Sequence, residues 1–86
     1  MTTHIERIVV DALKPRELSI VELSKALCDV KGVREVNIIV AEVDVRTETI
    51  KITLRGDDIN YDGMVEMMDE FGAVVRSIDE ISTRKR

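Results

Sequence analysis

The side chains that could do chemistry in this chain are mostly carboxylates. Asp11 falls on an expected first strand, and Asp79 and Glu80 fall on an expected last one. If those strands are neighbours, Asp11 with Asp79 or Glu80 forms a set of hard oxygen ligands that would bind Ca²⁺ or Mg²⁺ weakly, in preference to zinc. Solvated strand-end charges, or a pair with Arg7, account for the same residues without a metal. Which of the two carboxylates faces Asp11 stays open, because Val74 with Ile78 and Val75 with Ile81 are equally good apolar sets. Glu42 and Asp44 stand two apart on another strand, so both project from one face, as a cation site or an acid–base pair requires. A cross-strand ion pair between Asp44 and Lys51 is the simpler and preferred explanation.

The remaining reactive types are isolated. His4 is the only histidine and Cys28 the only cysteine, so neither a zinc site nor a nucleophile–histidine pair can be assembled from them. Cys28 reads as a small hydrophobe on the shoulder of a helix, and Met64 and Met68 lie at core spacing. Arg84, Lys85 and Arg86 read as a solvated charged end. No catalytic constellation emerges, and the chain is expected not to be an enzyme.

Composition narrows the partners. The 86 residues allow one core, 44% of them are hydrophobic and 35% charged, and the net charge is −4. An acidic surface repels a phosphate backbone, which excludes nucleic acid as the main partner. The N-terminal residues hold no apolar run of signal-peptide or membrane-span length, so no membrane association and a cytoplasmic location are expected.

The elements that must position these residues follow from periodicity. Ile5 to Leu13 alternates as a first strand ended by Pro15, and Ser19-Ile20-Val21-Glu22 reads as a capping box before the helical stripe Ile20, Leu23, Leu27 and Val30, with Gly32 closing that helix. Val33 to Val45 is a long β-branched run. A polar turn at residues 46–49 leads to a strand in which Ile50, Ile52 and Leu54 alternate with Lys51, Thr53 and Arg55. Asn60 caps a second helix with the stripe Tyr61, Met64, Val65, Met68 and Phe71, and Gly72 ends it. Ala73 to Ile81 is a last strand, followed by a flexible charged tail at 82–86.

Two strand–helix–strand units joined by a hairpin and crossing right-handedly give an α+β, ferredoxin-like βαββαβ domain over residues 1–86. Its antiparallel sheet has the order 4-1-3-2, with both helices on one face. An even-length turn that pairs Val45 with Ile50, Val43 with Ile52 and Ala41 with Leu54 would leave Val36, Ile38 and Val40 on the open face, beside Val9 and Leu13. Such a patch is an expected interface for self-association, because a strand apolar on both faces is normally covered on both.

The open face lacks the aromatic platform of an RNA-recognition domain, having Val9, Asp11, Lys51 and Thr53 instead. The loop after the first strand lacks the Cys-x-x-Cys of a metal carrier and the Gly-rich phosphate cradle of an acylphosphatase-like enzyme. Taken together, Leu13-Lys14-Pro15, Ser19-Ile20-Val21-Glu22-Leu23, Gly32-Val33-x-x-Val36-Asn37-Ile38, Glu42-x-Asp44, Ile50-Lys51-Ile52 and Ser77-Ile78-Asp79-Glu80 resemble the small archaeal proteins of domain-of-unknown-function family 211, from Ile5 to Ile81. The resemblance implies a ferredoxin-like fold and multi-subunit assemblies, rings among them, with no established activity. Arg76 departs from it, since similar sequences often carry a histidine there, and this counts against a metal role at that position. The expectation is a homo-oligomer with a small-ligand or cation site at or between subunits. The alternative is a regulatory domain binding a small molecule of amino-acid type at a helix–sheet edge.

Overall fold

Ile8, Val10 and Ala12 point to one side of the first strand, and all three are wholly buried. A computed structural model describes residues 2–85 and shows why. The chain runs β1 (Thr3–Pro15), α1 (Ile20–Cys28), β2 (Val33–Val43), β3 (Thr47–Gly56), α2 (Tyr61–Glu70) and β4 (Val74–Lys85). All neighbouring strands are antiparallel, in the order β2-β3-β1-β4, which is the expected order read from the other edge. Leu23 and Leu27 of α1 and Met64 and Met68 of α2 join Ile8, Val10, Ala12, Ile50, Ile52 and Leu54 in one core, so both helices cover the same face.

Pairing arranges that face in three apolar rows that cross all four strands. Val36, Leu54, Ile8 and Ile81 form the first row, Ile38, Ile52, Val10 and Ile78 the second, and Val40, Ile50, Ala12 and Val75 the third. These rows correct the expected hairpin. The turn closes between Asp44 and Thr47, whose backbone bond is 2.8 Å, and carried inward unchanged it would bring Ala41, Ile39 and Asn37 opposite Ile50, Ile52 and Leu54. A shift between Val40 and Glu42 leaves Ala41 as the extra residue and exchanges the two sides of β2. Val36, Ile38 and Val40 therefore lie on the helix side and not on the open face, with Val36 and Ile38 packed against the core. Asn37 turns to water in place of a valine or isoleucine.

β4 uses the same device twice. Asp79 and Arg76 are extra residues relative to β1, so Val75, Ile78 and Ile81, three apart, all reach the helix side. Neither two-residue apolar set considered from the sequence describes this strand. Nor does it stop at Ile81, since residues 82–85 pair with Arg7, Ile5, His4 and Thr3 as part of the sheet. The expected flexible tail is thus strand up to Lys85, and Arg86 lies outside the described residues.

Caps hold the helices. Ser19 Oγ accepts a 3.1 Å bond from the Val21 amide, and Asn60 Oδ1 accepts one of the same length from the Gly63 amide. The Glu22 half of the expected capping box is not formed among the described residues. α1 ends at Cys28 with Asp29 as its C-cap, four residues before Gly32. Gly32, at φ +89°, serves the turn into β2, where its carbonyl accepts from the Asp57 amide at 2.8 Å. A side chain there would strike the Asp58 carbonyl. Ser19→Ala is expected to lower stability by about 0.5–2 kcal/mol in urea denaturation. An unchanged midpoint would remove Ser19 from the cap.

Candidate functional site

With the helix side filled, polar chemistry is left to the open face, where pairing sets out four rows. They run Glu35, Arg55, Arg7, Ser82, then Asn37, Thr53, Val9, Glu80, then Ile39, Lys51, Asp11, Ser77, and last Glu42, Thr49, Leu13, Val74. Val9 and Leu13 occupy this face as expected, but Asn37 and Ile39 stand where Val36, Ile38 and Val40 were expected, and the surface is mainly polar. A face of this kind is stable in water without a cover.

The bulge at Asp79 decides how the acidic residues are used. Its carboxylate accepts a 2.9 Å bond from the Ser77 hydroxyl and pairs with Lys51 Nζ at 3.1 Å, reaching over β1 from β4 to β3. Glu80 pairs with Arg7. Of the expected cation set, Asp79 and Glu80 are thus each engaged in an ion pair, and Asp11 lies directly between Lys51 and Ser77 in the pairing. Among the described residues no group of three or more His, Cys, Asp and Glu side chains is placed to hold a metal ion.

The Ser77 hydroxyl first, and Lys51 second, hold the Asp79 carboxyl below the usual aspartate value. A depressed folded-state value means that the contribution of this contact is present above the ordinary aspartate value and is lost as pH falls through the folded one. Asp44 has no part in it. That residue sits in the hairpin turn with its side chain accepting from the Val45 amide at 2.7 Å, while Ile39 stands opposite Lys51.

The helix side holds a charge that sequence periodicity assigned no role. Lys14 continues the alternation of Ile8, Val10 and Ala12 and is only 2% exposed. Its ammonium donates to the Leu18 carbonyl at 2.6 Å and the Pro15 carbonyl at 3.1 Å, and it pairs with Glu48 at 2.5 Å. All three donors are engaged, so the buried charge is compensated. The only sequence signal was parity, since a lysine at a core-facing position requires partners. The ammonium ties the end of β1 and the entry to α1 to β3.

Other singled-out residues have simpler surroundings. His4 lies 3.5 Å from Asp58, Cys28 is exposed and not part of the core, Met64 and Met68 are buried, and Arg84 pairs with Glu6 at 3.3 Å. Two concave features complete the surface. A groove of about 450 Å³ runs between α2 and the free edge of β4, lined by Tyr61, Val65, Val75, Arg76 and Ile78, and a shallower depression of about 240 Å³ lies on the open face around Arg7 and Arg55. No helix among the described residues is long and apolar enough to cross a membrane.

The model of an uncharacterised protein family, DUF211, described as uncharacterized ArCR, matches residues 6–86. An uncharacterized protein of Methanocaldococcus jannaschii is 37% identical over 82 residues, covering 95% of this chain and 84% of the relative.

Two measurements check these assignments. Ser77→Ala should raise the Asp79 titration by more than Lys51→Met does, as followed by carboxyl NMR, and the reverse order would make the lysine the dominant partner. Lys14→Met should cost about 1–3 kcal/mol in urea denaturation through the carbonyls and carboxylate it leaves unpaired. A neutral result would show that those groups find water.

Proposed function

The chain belongs to the DUF211 family, and we propose that it is a non-enzymatic protein that works as a homo-oligomer, its subunits joined edge to edge through β2 and β4. The observation that carries this reading is where apolar surface remains. Val40 and Val43 at the end of β2, and Ile78 and Ile81 on β4, are between 36% and 59% exposed at the two free edges of the sheet. Free strand edges with apolar side chains are liabilities that proteins bury or blunt.

Topology supports the same pairing. Since every neighbouring pair in the sheet is antiparallel, β2 and β4 run in opposite senses, and β4 of a second copy can continue the sheet beyond β2 antiparallel, with its helices on the same side. Each apolar row would then run on into the next subunit, placing Ile81 beside Val36 and Ile78 beside Ile38. The contact is head to tail, and it closes into a ring if its rotation closes. It also lays a neighbouring β2 along the groove between α2 and β4, which makes that groove the small-ligand site between subunits. The carboxylates of the open face support a non-enzymatic reading, because Arg7 and Lys51 neutralise two of them.

Native mass spectrometry and light scattering test the assembly. Wild type should be oligomeric at micromolar concentration, and a monomer would overturn the proposal. Ile78→Asp and Val40→Asp should each abolish the multi-subunit assembly, and mixing the two should produce a one-to-one dimer, since each retains the edge that the other lacks. A Val40→Asp protein that still dimerises alone would mean that β4 pairs with itself.

A further inference from the structure

Arg7 and Arg55 face each other directly across the central strand pair on the open side of the sheet. Like charges in that position, with Cβ atoms about 4.5–5.5 Å apart, destabilise a sheet. Arg7 is partly relieved by Glu80, but its Nε is buried without a hydrogen-bond partner. Arg55 is exposed and takes part in no ion pair among the described residues. Both line the 240 Å³ depression, and its other walls are Glu35, Asn37, Thr53 and Ile39.

From this arrangement we infer that the depression binds a small α-amino acid with an apolar side chain. The ligand carboxylate lies between the two guanidiniums, whose planar donors match it, and relieves their mutual repulsion. Asn37 and Thr53, directly opposite each other, supply neutral hydrogen-bonding groups on the floor. Glu35, beside Arg55 in the pairing, takes the ligand ammonium, and it disfavours a multiply charged anion such as phosphate. Ile39, 58% exposed at the rim, offers the apolar contact for the side chain. The site differs from the expected helix–sheet edge, and it does not depend on edge-to-edge assembly, which leaves the open face uncovered.

L-valine is the probe, titrated into isotopically labelled protein and followed by amide NMR. Saturable shifts are expected at Asn37, Thr53 and Arg55 in the millimolar range. Isovalerate, which lacks the amine, and isobutylamine, which lacks the carboxylate, should each bind at least about tenfold more weakly. Arg55→Gln and Glu35→Gln, both at exposed positions, should weaken L-valine by a similar factor while leaving the spectrum of the fold intact. The inference is overturned by the absence of saturable shifts with L-valine, by isovalerate or inorganic phosphate binding as tightly as the amino acid, or by undiminished shifts in Arg55→Gln. The comparison of the four small molecules needs no variant, so a misfolded one would not blunt the test.

Discussion

A four-stranded sheet covered on one face must deliver most of the large apolar side chains of four strands to the same side, and here two of the strands have sequences that do not alternate in step. The resulting three apolar rows are the constraint from which the rest of the molecule follows. β3 and, beyond its one extra residue at Glu6, β1 satisfy it by alternation, and Ile8, Val10, Ala12, Ile50, Ile52 and Leu54 are wholly buried. The edge strands satisfy it by bulging, β2 at Arg34 and Ala41 and β4 at Arg76 and Asp79. Each bulge leaves the ladder locally weaker and the strand bent. That cost is offset by moving isoleucines and valines toward the helices, where Val36, Ile38 and Val75 pack partly buried against the core.

The same bulges shape the chemistry. Asp79 is available to reach Lys51 across β1 because it is the extra residue of its strand, standing outside the regular pairs. Had β4 alternated regularly, Asp79 and Ile78 would have faced opposite sides and Ile81 would have shared the side of Asp79. A carboxylate would then have remained near Asp11 with an isoleucine beside it. The ion pairs of the open face thus follow from packing on the opposite side of the sheet.

Element order, strand order and helix placement were legible in the sequence, because they rest on helix stripes, caps and the clean alternation of Ile50, Ile52 and Leu54. The faces of the edge strands were not. On β2, Ile38 and Ile39 are neighbours of equal hydrophobicity, so alternation does not choose between them, and the choice is made by one extra residue at Ala41. On β4, the three-residue spacing of Val75, Ile78 and Ile81 matches no strand template. The expectation for Val36, Ile38 and Val40 and that for Asp79 both rested on those two strands, which is why the three apolar residues lie on the other face and the aspartate stands at a bulge. Lys14 escaped notice for a different reason. Its place in the alternation was visible, but the carbonyls that compensate its charge come from a loop whose path the sequence does not specify.

The pairing of β4 with β1 also bears on how the molecule is made. These two strands are separated in sequence by two helices and two strands, so β4 completes the sheet beside β1 only after all of those elements have been made. With its three-residue apolar repeat, β4 has no amphipathic pattern as an isolated strand, and it acquires one only when β1 templates its bulges. Closing so long a loop precedes any reward from contacts, which places this docking among the slow, non-local steps of folding. Until it happens, the outer edge of β1 is an unpaired strand at the centre of the future sheet, and the hairpin of β2 and β3 with α1 must hold the nascent chain together.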